Sequence, residues 1–221
     1  GPVPPTEFVE VAERTDLIHP LTNRVLELAI GQAAAWHRAG HPLRVAVNVS
    51  ARNLSEADLV PRIRHMLATA GLPAHLLEVE LTETTIMANA GLAASVMAQL
   101  RAMDLRVAID DFGTGHSSLS HLTSLPLDKL KIDRSFTQGL GVDRTAETVV
   151  RAIVDLGRSL KLDVVAEGVE TVAARAMLEQ MACKLGQGYL FSRPVPATDL
   201  ERWWAATGAT EAGLLLAEAG P

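Results

Sequence analysis

The sequence predicts an α/β fold in which parallel strands alternate with helices and close toward a (β/α) barrel. Short apolar, often β-branched runs recur along the chain with helical patterns between most of them, the signature of buried parallel strands. Nearly every run has a polar or charged side chain at its end, as a barrel requires and an open sheet, with its single switch point, does not. The strand count is six, against eight in a full barrel of about 250 residues. About two further strands are therefore expected before Gly1, and Gly1-Pro2-Val3-Pro4-Pro5 reads like a loop entered partway along a longer chain.

In chain order, residues 6–35 read as two helices parted near Pro20, with Phe8, Val9 and Ala12, then Leu26, Ala29 and Ala33, at helical spacing. Strands are expected at Leu43–Val49, Leu76–Leu81, Leu105–Ile109, Leu130–Ile132, Leu162–Val165 and Gly188–Phe191. Pro61 suits the first turn of a helix running to Ala70 and stopping at Gly71-Leu72-Pro73. Val149, Val150, Ile153, Leu156 and Leu160 form one apolar stripe on a long helix, and Thr171 caps the next. Residues 1–205 form one domain on this reading, and the Ala/Gly-rich stretch 206–221 is a tail or linker.

Composition narrows the function. Hydrophobic residues at 48% and charged residues at 21% are globular usage, which excludes a disordered or fibrous chain. A net charge of -6 argues against a broad DNA- or RNA-binding surface. An anionic substrate would need help, and metal ions are the obvious form of it. No apolar run approaches the roughly 20 residues that cross a bilayer. The single Cys183 excludes an internal disulfide and a multi-cysteine zinc site. A lone thiol suits a reducing compartment, so a cytoplasmic location is expected, although the parent protein could be tethered to a membrane.

The chemistry-bearing residues stand at the strand ends. Asp110-Asp111-Phe112-Gly113-Thr114-Gly115 follows the run Val107–Ile109, and a backbone turning there would let both carboxylates meet one or two cations. A turn-forming acidic pair is the simpler alternative. In Glu78-Val79-Glu80-Leu81-Thr82-Glu83, burying Val79 and Leu81 against helices aims Glu80 at the opposite face, where an unpartnered carboxylate costs several kcal/mol. A metal or a structural ion pair would remove that cost. Asn48 ends Val45-Ala46-Val47 and offers a neutral oxygen ligand or a cap. Lys131, between Leu130 and Ile132, needs an anionic neighbour. Glu167 ends Val164-Val165-Ala166 before Gly168, as a metal-site residue or a helix-start charge. Oxygen ligands of this kind select Mg²⁺ or Mn²⁺, and two such ions clamp a phosphodiester and activate water. The set points to phosphoryl hydrolysis. The histidines are poor ligand candidates, with His116 after the Gly115 loop the one placed to reach a substrate or subunit interface.

Taken together these motifs resemble the EAL family of cyclic di-GMP phosphodiesterases, which have a modified TIM-barrel fold. The resemblance runs from Val3-Pro4-Pro5-Thr6-Glu7-Phe8 through Asn48-Val49-Ser50, Glu80-Leu81-Thr82-Glu83, Asp110-Asp111-Phe112-Gly113-Thr114-Gly115, Lys131-Ile132-Asp133, Ala166-Glu167-Gly168-Val169-Glu170 and Gln187-Gly188-Tyr189 to Arg193-Pro194. It implies that Asn48, Glu80 and Asp110 hold one metal ion, and that Asp110, Asp111 and Glu167 serve a second and its water. It also implies that Lys131 orients that water or steadies the phosphate, and that Glu167 is the general base. Glu83 and the loop from Phe112 through Gly113, Thr114 and Gly115 to Ser118 resemble a segment linking the site to dimerisation. Asp133, Glu170, Gln187 and Pro194 resemble supporting or substrate-binding groups.

The implied reaction opens cyclic di-GMP to linear pGpG in a homodimer, within a parent chain carrying sensory or GGDEF-type domains. The family's Glu-Ala-Leu signature, source of a further metal ligand, has no match in this chain, and His116 stands where the family usually has tyrosine. The competing expectation is a cyclic di-GMP receptor that binds without cleaving.

Overall fold

The computed structural model describes residues 3–115 and 119–207, which divide into two compact units. The first is built from residues up to Val107 together with Ser120–Pro126, and the second from Ala108–Leu119 together with the chain from Leu127 onward.

The first unit opens with helices α1 (Pro5–Glu13) and α2 (Ile18–Arg38). Pro20 does not part them. It sits in the first turn of α2, where a missing N–H costs nothing because that turn's amides have no intrahelical acceptor. Strand β1 (Val45–Asn48), short helix α3 (Ala51–Leu54), α4 (Leu59–Ala70), β2 (Leu77–Thr82), α5 (Glu83–Ala88) and α6 (Ala90–Ala102) come next. Strand β1 pairs parallel with β2 in unbroken register, Val45 opposite Leu77 through Asn48 opposite Glu80. The core joins Leu26, Ile30 and Ala33 of α2, Leu59 and Ile63 of α4, Leu77, Val79 and Leu81 of β2, and Met97 and Leu100 of α6, all essentially removed from solvent.

Strand β3 (Arg106–Phe112) starts in the first unit and supplies its last five residues to the second, and helix α7 (Leu119–Ser124) comes after it. The second unit continues with β4 (Lys129–Ile132), α8 (Arg134–Gln138), α9 (Arg144–Leu160), β5 (Asp163–Ala166), α10 (Val172–Gln180), β6 (Leu185–Gly186) and α11 (Ala197–Thr207). Its strands pair parallel in the order β3, β4, β5, β6. The buried face of α9 runs through Ala146, Val150, Ile153, Val154 and Gly157, close to the expected stripe, and Thr171 caps α10 by accepting the amide of Ala174.

One expected strand is misplaced. Residues 188–191 form a turn in which the Gly188 carbonyl accepts the amides of Phe191 and Ser192, and the strand is Leu185–Gly186. The turn is forced by close packing: a Cβ on Gly188 would lie 2.2 Å from the Val169 carbonyl oxygen and 2.3 Å from its nitrogen. Gln187 therefore stands after the last strand instead of starting it, which extends the pattern of polar residues at carboxyl ends. Among the described residues no helix is long and apolar enough to cross a membrane. His116 and the stretch 208–221 lie outside the described residues.

Candidate metal centre

In the second unit the site begins with a break in β3. Ala108 and Ile109 pair regularly with Lys129 and Leu130, but the register then shifts so that Phe112 faces Ile132. Asp111, inside the bulge, has φ 53°, a left-handed conformation that Asp tolerates better than most residues. Its amide donates to Asp110 Oδ1 at 3.1 Å, and the Thr114 hydroxyl donates to its carbonyl at 2.9 Å. A regular strand would send consecutive side chains to opposite faces. Here Asp110 and Asp111 converge instead, and each offers Glu167 an oxygen within 4.8 Å.

Glu167 arrives from β5. Its amide donates to the Ile132 carbonyl at 3.1 Å, which extends the β4–β5 ladder by one rung. Gly168 next to it has φ 65°, and a Cβ there would meet Arg134 Cβ at 2.6 Å, so this position excludes any other side chain on two grounds. Lys131, only 5% exposed, bridges the cluster: its ammonium is 3.0 Å from Asp110 Oδ1 and 2.7 Å from Glu167 Oε1. The anionic neighbour that its sequence position demanded is thus two carboxylates.

The electrostatics come from crowding. Burial, then the charges of Asp110 and Asp133, push the Asp111 carboxyl up to about 6. Burial also raises Glu167, outweighing the attraction of Lys131. Asp133, likewise disfavoured by burial, is held below the usual carboxylate range because the Ser135 hydroxyl and amide both donate to it and Arg134 lies nearby. Asp110, Asp111, Asp133 and Glu167 set four carboxylates against the one ammonium of Lys131. This excess of hard oxygen donors fits a divalent cation of the Mg²⁺ or Mn²⁺ class.

Glu170 and Gln187 lie in the same unit, each held by contacts of its own. Gln138 Nε2 donates to Glu170 Oε1 at 3.2 Å, while the Gln187 backbone ties the Ala166 carbonyl, at 2.8 Å, to the Val169 amide, at 3.0 Å. Thr114, Gly115 and Pro194 are exposed, and Arg193 beside Pro194 lies over the Tyr189 ring at 4.5 Å. Gly113 is half-buried, with φ 103°.

In the first unit, Asn48 and Glu80 are direct register partners at the carboxyl ends of β1 and β2. Glu80 is buried and Asn48 exposed. The Val49 amide donates to the Glu80 carbonyl at 2.9 Å, and Ser50 opens a capping box with Asn53, which fixes the chain on both sides of Asn48. Glu83, also buried, begins α5 behind the Thr82 cap. Sequence reasoning missed three groups, two in the second unit and one in the first. Ser135 and Gln138, which hold Asp133 and Glu170, sit at spacings that look like ordinary helix-start polarity. Glu78, 2% exposed, shares the buried strand of Glu80 with no signal to mark it beyond the alternation already used for Glu80.

Comparison with known proteins places the chain. Residues 1–194 match the EAL domain. Signaling protein YkoW of Bacillus subtilis is 42% identical over 200 residues, covering 90% of this chain and 25% of that protein. Cyclic di-GMP phosphodiesterase NbdA of Pseudomonas aeruginosa is 44% identical over 207 residues, covering 93% of this chain and 26% of that one. The chain therefore spans about a quarter of the length of these curated relatives. The structure of PaMucR phosphodiesterase in complex with c-di-GMP matches with a TM-score of 0.87 and 42% identity, over 90% of this chain and 81% of that one. The α/β, TIM-barrel-like fold class that the sequence predicts holds on this match. With the EAL domain matched along nearly the whole described sequence, and solved relatives of the same fold, the chain belongs to the EAL domain family.

Proposed function

We propose that this domain, spanning residues 1–205 with 206–221 as a tail, hydrolyses one phosphodiester of cyclic di-GMP and releases linear pGpG. The observation that carries the reading is the juxtaposition of Asp110, Asp111 and Glu167 with Lys131 bridging two of them, in a chain whose relatives include named cyclic di-GMP phosphodiesterases. Asn48, Glu80 and Asp110 would hold one Mg²⁺ or Mn²⁺, and Asp110, Asp111 and Glu167 a second. When bound, such ions neutralise phosphate charge and acidify water.

The chain's own residues do the rest. Glu167, held through Oε1 by Lys131 and raised by burial, takes the proton of the attacking water on its other oxygen. Lys131 turns its remaining N–H groups to the phosphate oxygens. The water oxygen bonds to phosphorus, the bond from phosphorus to the 3′ oxygen breaks, and that oxygen takes up a proton from solvent while Glu167 gives up the one it took. Glu83, Gly113, Thr114, Gly115, Asp133, Glu170, Gln187 and Pro194 shape and support this site. The parent protein works as a cytoplasmic or membrane-tethered homodimer with sensory or GGDEF-type domains. A surplus of six negative charges argues against DNA or RNA as partners of this domain.

Incubating the full chain with cyclic di-GMP and Mg²⁺ or Mn²⁺, and separating nucleotides by chromatography, tests the reading. Linear pGpG that disappears with chelator is the expected result. Binding of cyclic di-GMP without any linear product would replace the enzyme by a receptor.

A further inference from the structure

The acidic cluster of the second unit has a second cation beside it that no carboxylate among the described residues pairs with. Arg134 opens α8 directly after Asp133, and its side chain is exposed. It forms no hydrogen bond or ion pair among the described residues, and acts only through the attraction that helps keep Asp133 ionised. Arg158, Arg175 and Arg202 of this unit each take an acid from their own helix, Asp155, Glu179 and Asp199, whereas Arg144, which likewise follows a capping aspartate, takes none among the described residues. Arg134 has an acid immediately before it in the chain and does not take it. That neighbour, Asp133, is engaged by Ser135, and Gly168, the residue after Glu167, packs directly on the Arg134 Cβ. The packing sets the Arg134 backbone and Cβ against Gly168, one residue from Glu167, which is what separates it from Arg144.

We propose that Arg134 anchors a phosphate of the cyclic dinucleotide, and so acts as a substrate-binding residue of the site. This rests on the phosphodiesterase reading and adds to it. A planar guanidinium matches two phosphate oxygens at once, and a hydrated one without an acid partner gives up no existing contact to do so. The need is electrostatic as well. A doubly anionic substrate approaches a chain of net charge -6 at a cluster of four carboxylates, and a cation one residue from Asp133 offsets that repulsion locally.

The test compares wild type with Arg134→Gln and Arg134→Lys in the full chain, at several salt concentrations. Cyclic di-GMP turnover is followed in parallel with cyclic di-GMP binding by calorimetry in Ca²⁺, an ion of the same oxygen-ligand class. Losing one charge-assisted contact of roughly 1.5 kcal/mol raises KM and Kd about tenfold in Arg134→Gln. The rise in KM exceeds the fall in kcat, Arg134→Lys recovers part of it, and the salt dependence of binding becomes shallower. The metal concentration for half-maximal rate does not move. Unchanged KM and Kd would overturn the assignment, and so would a raised KM with an unaltered salt dependence. If wild type binds but releases no linear product, the phosphodiesterase reading fails while the calorimetric arm still decides Arg134.

Discussion

Two strand pairs present oxygen donors at their carboxyl ends, by different means. Between β1 and β2 the register is unbroken, and Asn48 faces Glu80 as one donor from each strand. Between β3 and β4 the register breaks after Ile109, Asp111 turns left-handed, and two consecutive acids serve one place. Regular pleating supplies at most one inward side chain for every two residues. The bulge doubles that density, and with it come a strained Asp and crowding that pushes its carboxyl up to about 6. Dense charge is tolerable where a cation neutralises it, so the irregular pair is the one whose acids most need a cation.

The largest way to break this contrast is Asp110→Asn, which removes a carboxylate shared by the bulge and Lys131 while keeping its size. Turnover of cyclic di-GMP is expected to fall at least about a thousandfold, since a metal contributes several kcal/mol to such a reaction. Steady-state kinetics at saturating Mn²⁺ would show it, and a rate within tenfold of wild type would remove the metal assignment. Gly168→Ala comes second. The added methyl meets Arg134 Cβ at 2.6 Å and strains a φ of 65°, so Glu167 next door must move. A displacement near 1 Å costs on the order of a hundredfold in rate, and kcat should carry the loss.

Asp111→Asn has the smallest effect and sharpens the comparison most. Asn tolerates the left-handed backbone, so only the charge changes. The folded-state value of Asp111 is raised from 3.8 to about 6. Below pH 3.8 the carboxyl is protonated in both folded and unfolded chains and nothing is lost. As pH rises toward 6 the unfolded chain ionises first, so wild type loses stability across that window and stays at the lower level above it. In chelator at pH 7–8 the variant should therefore melt higher, by about 2–4 °C if screening leaves roughly 1 kcal/mol of the repulsion. The advantage should vanish near pH 4. Melting curves that run parallel across the whole pH range would show that the bulge stores no repulsion.

Much of this was legible in the sequence because burial leaves a periodic trace. The runs ending at Asn48, Glu80, Asp110, Lys131 and Glu167 mark strands, and their polar tips mark one end of them. The bulge at Asp111 left no such trace: Asp-Asp before Phe-Gly is equally a turn, and only the paired strand reveals the shifted register. The last strand was misread for a related reason. Tyr189, Leu190 and Phe191 have strand-forming side chains, but Gly188 packs so tightly on Val169 that the chain must turn there, and the weakly marked Leu185–Gly186 pairs in their place. Arg134 was invisible because an arginine after a strand-end aspartate is an ordinary surface pair; what distinguishes it is its packing against Gly168, beside Glu167.

Asp110, Asp111 and Glu167 are predicted to act together as a divalent-cation site. Titrating Mn²⁺ into the metal-free full chain by calorimetry, beside Asp110→Asn, tests it without relying on turnover. Saturable binding that is abolished in the variant, and that weakens in wild type as pH falls below about 6 and Asp111 protonates, is the predicted result. Equal Mn²⁺ binding by both proteins would contradict it.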